Sequence, residues 1–101
     1  MRRKKVLLVD SQLRNMMRLM ADYVVPLTER GLQTAVFTNE YSITIELSYY
    51  TNEIITLSMT INRHEEEKMA YVVELFEKLC CKNVYNTILE AKKYYKQKYK
   101  F

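Results

Sequence analysis

The sequence predicts an α+β domain: an N-terminal helix, a three-stranded antiparallel meander, and two C-terminal helices packed on one face of the sheet. Three observations lead to this class. Two consecutive segments alternate apolar and polar residues, apolar residues recur with helical spacing before and after them, and the chain has a single Gly and a single Pro. No linker, repeat or low-complexity block interrupts residues 1–101, so we treat them as a single domain.

The first helix is predicted to begin after Asp10. Its apolar residues recur three or four positions apart, at Leu13, Met16, Met17, Met20, Val24 and Leu27. Asp10 or Ser11 is expected as the N-cap, because a short side-chain oxygen can accept from the free N–H groups of the first turn. Pro26 is expected to end or kink the helix, and Gly31 suits the position just after its end. Residues 4–9 fit either a short strand or an extra helical turn.

Two strands are predicted over residues 43–50 and 55–62, where apolar residues alternate with Thr, Ser, Glu and Asn. Residues 34–37 are predicted as a third, weaker strand that turns at residues 39–40. One apolar face per strand is typical of an antiparallel sheet that is covered on one side.

The register of the two clear strands follows from their apolar faces. Residues directly opposed across an antiparallel pair point to the same face of the sheet. The apolar residues of both strands therefore share a face only if the residue numbers of each opposed pair add up to an even number, as they do for Leu47 opposite Leu57. This favours an odd-numbered loop, Thr51-Asn52-Glu53, over a two-residue turn.

The last third is predicted to be helical. Asn62 as N-cap with Glu65 three residues later resembles a capping box, and the acidic residues 65–67 suit the positive end of a helix dipole. The apolar stripe is wide and comprises Met69, Tyr71, Val72, Val73, Leu75, Phe76, Leu79 and Cys80. Such width indicates burial against the sheet and against a second neighbour, which is either the final helix or a second copy of the chain. The final helix is predicted from about Val84, with Ile88, Ala91 and Tyr95 on one face.

Charge is distributed unevenly along the chain. Both ends are basic, whereas all 12 acidic residues lie between them. Lysines interleaved with aromatic residues can neutralise phosphates while the rings stack on bases. The candidate nucleic-acid contacts are therefore Arg2, Arg3, Lys4, Lys5, Lys92, Lys93, Lys96, Lys98 and Lys100.

Residues 55–62 followed by two helices also resemble the strand-helix-helix order of ribbon-helix-helix DNA-binding proteins. That resemblance implies that Thr56, Ser58 and Thr60 read bases from a strand paired between two chains. The predicted hairpin partner of this strand, residues 43–50, argues against it.

No catalytic, metal or cofactor site is predicted. The chain has one histidine, His64, and no cysteine lies near it in sequence. The acidic residues beside His64 have no further His or spaced Cys pair to complete a metal site, and a single Gly excludes a phosphate-binding glycine loop. The adjacent Cys80 and Cys81 indicate a reducing compartment, and no apolar run is long enough to span a membrane.

We therefore expect a non-enzymatic, cytoplasmic protein that acts by binding another protein and that self-associates, as a homodimer. Its candidate protein contacts are tyrosines, because Tyr offers a large contact area at a low entropy cost: Tyr50, Tyr71, Tyr94 and Tyr99. Nucleic-acid binding through the basic ends is the alternative.

Overall fold

The computed structural model describes residues 7–99 of the chain. The elements follow one another in the order α1 (Asp10–Glu29), β1 (Leu32–Thr38), β2 (Ser42–Tyr50), β3 (Ile54–Asn62), α2 (Glu66–Cys81) and α3 (Val84–Tyr99). The strands form one antiparallel sheet in the order β1-β2-β3, and both C-terminal helices contact it. The predicted α+β class and element order are confirmed.

The register of the sheet agrees with the sequence pattern. Leu47 faces Leu57, and Tyr50 faces Ile54 across the three-residue loop 51–53. β1 is longer than the predicted residues 34–37, because pairing with β2 extends to Leu32 at one end and to Thr38 at the other. The alternation in β1 is weak, since the small Ala35 faces away from the core and the polar Thr34 faces towards it.

One face of the sheet carries the core. Met16, Leu19 and Leu27 of α1, and residues of α2 and α3, join the odd-numbered residues of β2 and β3 in one buried cluster. We call the opposite face the open face, because no helix among residues 7–99 covers it. It is rich in hydroxyl groups, and the pairs Thr44–Thr60 and Ser48–Thr56 lie within hydrogen-bonding distance, at 3.1 and 3.4 Å.

α1 begins one residue earlier than predicted, and neither Asp10 nor Ser11 is its N-cap. Val9 takes this position, and its N–H donates to Oε1 of Gln12 at 3.1 Å. Asp10 instead lies in the first turn, where its carboxylate faces the positive end of the helix. The helix then runs through Pro26, so an end at this residue is wrong. It ends one turn later, at Glu29.

Gly31 follows the C-cap Arg30, so it occupies the predicted position just after the helix end, and its backbone is left-handed with φ of +89°. A Cβ atom here would also come within 3.3 Å of the Tyr49 ring. Of the undecided residues 4–9, residues 7–9 form neither a strand nor a helical turn; the N–H of Leu8 donates to the carbonyl of Glu40 at 2.8 Å. Residues 4–6 lie outside the described part of the chain.

The start of α2 differs from the prediction. Asn62 is the last residue of β3 and the N-cap is Glu65, so no capping box starts at Asn62. The two residues do interact: Oε1 of Glu65 accepts from the Asn62 N–H at 2.6 Å. The alternation of β3 continues to Asn62, so the turn between β3 and α2 has to occupy residues 63–65. Within this turn His64 has a left-handed backbone, with φ of +68°.

The wide apolar stripe of α2 is buried within the chain. Tyr23 of α1 meets Phe76 edge-on, with ring centroids 5.7 Å apart, and Ile88 and Ala91 of α3 belong to the same core. The second neighbour is therefore the final helix, together with α1. The stripe gives no separate support for a second copy of the chain, and self-association stays a prediction.

α1 and α2 run in the same direction and are tied together at both ends. The Gln12 amide donates to the Asn62 carbonyl at 3.0 Å, and the Arg30 guanidinium donates to the carbonyls of Cys80 and Lys82 at 2.7 and 2.6 Å. No helix in the described part of the chain is long and apolar enough to cross a membrane.

Candidate functional site: the edge of β3 and the tyrosine cluster

β3 forms one edge of the sheet, so half of its backbone groups point away from β2. In an antiparallel pair, alternate residues direct both N–H and C=O towards the neighbouring strand, and the residues between them direct both outwards. The Thr60 N–H donates to the Tyr95 hydroxyl at 3.2 Å, and the Thr60 carbonyl accepts from Nζ of Lys68 at 2.8 Å. Thr60 is therefore an outward residue, and so are the other even-numbered residues of β3.

The C-terminal half of this edge is closed by side chains. Tyr95 and Lys68 bind both backbone groups of Thr60. Glu65 accepts from the Asn62 N–H, and Gln12 donates to the Asn62 carbonyl. Three helical segments thus supply the hydrogen bonds that a fourth strand would otherwise make.

The N-terminal half of the edge is open. Within residues 7–99, the outward N–H and C=O groups of Ile54, Thr56 and Ser58 have no hydrogen-bonding partner. Ile54 and its cross-strand neighbour Tyr50 are 62% and 50% exposed, so two large side chains stand on the open face beside this stretch. We call Ile54, Thr56 and Ser58 the open edge.

Four tyrosines gather where α2 and α3 meet, and we call Tyr71, Tyr94, Tyr95 and Tyr99 the tyrosine cluster. The rings of Tyr71 and Tyr94 have centroids 4.8 Å apart and planes inclined by 30°. Tyr99 is 5.1 Å from Tyr95 and 6.5 Å from each of the other two. Burial, with the neighbouring Tyr94 phenol, raises the pKa of Tyr71 from 10.0 to about 12.

A buried lysine sits against this cluster. Lys68 is 8% exposed, and its ammonium lies 4.9 Å from the ring centre of Tyr99 and 5.6 Å from that of Tyr95. A carboxylate oxygen of Glu65 lies 3.1 Å from the same ammonium. Two rings, one carboxylate and the Thr60 carbonyl thus offset the cost of burying this charge.

On the side of the cluster away from Lys68, a cleft of about 340 Å³ runs between α2 and α3. Tyr71 and Tyr94 line one end, and Glu74, Lys78 and Glu90 contribute charged groups. Lys78 is paired with Glu74 at 3.2 Å. Among residues 7–99, the Glu90 carboxylate has neither an ion pair nor a hydrogen bond.

The structure places the predicted contact residues in separate regions. Tyr71, Tyr94 and Tyr99 belong to one cluster, in which Tyr71 and Tyr99 are half-buried, whereas Tyr50 lies at the hairpin end of the sheet. Lys92, Lys93, Lys96 and Lys98 are exposed on α3. The other predicted nucleic-acid contacts, Arg2, Arg3, Lys4, Lys5 and Lys100, lie outside the described residues.

His64 and the thiol of Cys80 do not meet in the structure. His64 precedes α2 and Cys80 lies near its other end, so a 16-residue helix, about 24 Å long, separates them. Burial raises the pKa of the Cys80 thiol, which opposes formation of the reactive thiolate. Residues 7–99 contain no group of three or more His, Cys, Asp or Glu side chains that could hold a metal ion. The arrangement offers two surfaces for binding, the open edge of β3 and the cleft beside the tyrosine cluster.

Sequence reasoning missed the roles of Lys68, Tyr95 and Glu90. The spacing of Lys68 three residues after Glu65 was a signal for an ion pair, but nothing local indicated that Lys68 reaches β3. The chain was compared with protein-family models, with curated proteins and with solved structures, and none of them matches it.

Proposed function

We propose that this protein is a non-enzymatic binding protein that captures another protein by pairing an extended segment of it with the open edge of β3. One observation carries the proposal: Ile54, Thr56 and Ser58 leave their outward backbone groups unpaired, while side chains close the same edge at Thr60 and Asn62. An unpaired strand edge is a template for another strand.

The open edge offers both affinity and selectivity. Each new backbone hydrogen bond contributes about 1 kcal/mol net, and three N–H and three C=O groups point outwards here. Residues of the added strand alternate between the two sheet faces, so every second side chain packs beside Ile54 and the hydroxyls of Thr56 and Ser58. A partner strand with apolar residues opposite Ile54 is therefore favoured over a uniformly polar one.

A second copy of the chain offers the same open edge, so the predicted self-association is the case in which two β3 strands pair antiparallel. Light scattering over a range of concentrations tests this case. We expect a mass that rises towards the dimer with concentration, and a mass that stays monomeric throughout contradicts it.

The proposal is tested by substituting proline for one outward residue. Thr56→Pro removes an N–H that points away from β2, so the β2–β3 ladder keeps its hydrogen bonds while strand addition is blocked. Thr38→Pro is the matched control, because it removes an outward N–H from β1 at the other edge of the sheet.

Wild type and both variants are used as bait with a lysate, after circular dichroism has shown that each is folded. We expect a partner that wild type and Thr38→Pro retain and that Thr56→Pro loses. In the purified complex, amide exchange at Thr56 and Ser58 should slow. The proposal would be overturned if Thr56→Pro still retained the partner, if amide exchange in the complex slowed only at residues other than Thr56 and Ser58, or if wild type captured no specific partner.

Nucleic-acid binding is the second candidate function, and the four exposed lysines of α3 favour it. Lys92 and Lys96 lie one turn apart on the same flank of the helix as Tyr85, which is 41% exposed. Phosphate contacts by these lysines with stacking on Tyr85 would suit a single strand.

Fluorescence anisotropy with labelled single-stranded and duplex oligonucleotides, at about 50 and about 300 mM salt, tests this alternative. A variant in which Gln replaces Lys92, Lys93, Lys96 and Lys98 is a more specific test than truncation of the C-terminus. Truncation would also remove Tyr95, whose hydroxyl accepts from the Thr60 N–H. Submicromolar binding that the variant loses would support the alternative, and no binding at low salt would remove it.

A further inference from the structure

The tyrosine cluster already binds one cation of the chain itself. The Lys68 ammonium lies 4.9 Å from the centre of the Tyr99 ring and 3.1 Å from a Glu65 carboxylate oxygen. Two tyrosine rings, one carboxylate and the Thr60 carbonyl together hold this positive charge, on a lysine that is 8% exposed.

The cleft between α2 and α3 also presents tyrosine rings and carboxylates, and the lysine that lines it, Lys78, is already paired with Glu74. Tyr71 and Tyr94 supply two rings with centroids 4.8 Å apart, and Tyr94 is 44% exposed. Glu90 lies one helical turn before Tyr94 on the same side of α3, and both line the cleft. Since Lys78 is paired with Glu74, the unpaired Glu90 carboxylate gives the cleft a net negative charge.

We propose that this cleft binds the guanidinium group of an arginine side chain carried by a partner protein. A guanidinium is planar, stacks on a tyrosine ring, and donates two parallel hydrogen bonds to a carboxylate. It therefore uses the exposed ring of Tyr94 and the free carboxylate of Glu90 together. Three further clefts of about 300–330 Å³ lined by residues within 7–99 lack a facing pair of rings.

This inference depends on the proposed function in one respect: it assigns the arginine to a partner protein. The site is separate from the open edge, because the residues within 7–99 that line the cleft all belong to α2 and α3. A test with a single arginine derivative therefore fails or succeeds independently of strand addition to β3, and Thr56→Pro should bind the derivative as wild type does.

The probe is Nα-acetyl-arginine methylamide, and its neutral match is the citrulline analogue, which has nearly the same shape. Both are titrated into isotope-labelled protein and followed by NMR. For the arginine probe we expect saturable shifts at Tyr71, Glu90 and Tyr94, with a dissociation constant on the order of millimolar, as is usual for a single small side chain.

Two variants and one control identify the residues that bind the arginine probe. Glu90→Gln removes the charge and Tyr94→Leu removes the ring, and each should weaken binding by about 3- to 10-fold. Glu77→Gln removes the same charge from the side of α2 that faces Tyr23 and should leave binding unchanged. Equal shifts with the citrulline analogue, shifts confined to other residues, or unchanged binding by both Glu90→Gln and Tyr94→Leu would each overturn the proposal.

Discussion

The ammonium of Lys68 lies 2.8 Å from the carbonyl oxygen of Thr60, so a lysine of α2 takes the place of a backbone donor at the edge of the sheet. Lys68→Met keeps most of the apolar stem but leaves this carbonyl and Glu65 without their cation. We expect a loss of about 2 kcal/mol in the free energy of unfolding, measured by urea titration. Lys78→Met is the control: that pair is exposed, and its loss should cost below about 0.5 kcal/mol. Equal losses in both variants would contradict a special role for Lys68.

The hydroxyl of Tyr95 is the only side-chain group that accepts from the Thr60 N–H in the described chain. Tyr95→Phe should therefore lower the free energy of unfolding by about 1 kcal/mol and speed amide hydrogen exchange at Thr60. In the wild-type protein we expect slow exchange at Thr60 and fast exchange at Thr56, because only the former is bonded. If both amides of the wild-type protein exchange equally fast, the edge is not closed as described.

Arg30 joins the end of α1 to the turn between α2 and α3 through two carbonyl oxygens, those of Cys80 and Lys82. Arg30→Ala should lower the free energy of unfolding by about 1.5–3 kcal/mol, since both carbonyls lose a charged donor. Arg30→Lys should recover only part of this, because one ammonium does not reproduce the forked geometry of a guanidinium. Thermal unfolding of the two variants beside wild type provides the comparison, and a fully stable alanine variant would refute the role.

The pKa of Tyr71, raised by burial from 10.0 to about 12, predicts a dependence of stability on alkaline pH. Below pH 10 the phenol is neutral in both the folded and the unfolded chain, so its contribution to stability is complete. Between pH 10 and 12 the unfolded chain loses this proton while the folded chain keeps it, so the free energy of unfolding falls. Urea titrations on both sides of pH 10 should show a smaller fall for Tyr71→Phe than for wild type. Tyr85→Phe, a change at an exposed ring, should behave as wild type does.

Local patterns were sufficient to predict the fold because its elements are strongly periodic. The alternation of β2 and β3 determined their register and loop length, and Gly31 indicated the end of α1. Helix starts were predicted less well. The sequence fits Asn62 both as the last residue of β3 and as the N-cap of α2. In the structure Asn62 pairs with β2 as part of the strand. At the start of α1, Asp10 is the first residue of the helix and not its N-cap, although its short acidic side chain suits the N-cap position.

The candidate site was not predictable in the same way. Closing the edge at Thr60 requires Lys68, eight residues later, and Tyr95, 35 residues later, to arrive at one backbone unit. Neither residue has a periodicity that reveals this contact. The sequence did single out Tyr71, Tyr94 and Tyr99, because tyrosine offers a large contact area at a low entropy cost. It could not show that they share one cluster while Tyr50 stands apart.

The meander has a consequence for the order in which the chain assembles. Each strand pairs with its neighbour in sequence, and a three-residue loop joins β2 to β3, so the sheet forms at a low cost in loop-closure entropy. α1 packs on β1, the next element along the chain, but its bonds from Gln12 to Asn62 and from Arg30 to Cys80 each span 50 residues. The docking of α1 against α2 is therefore expected to follow the formation of the sheet.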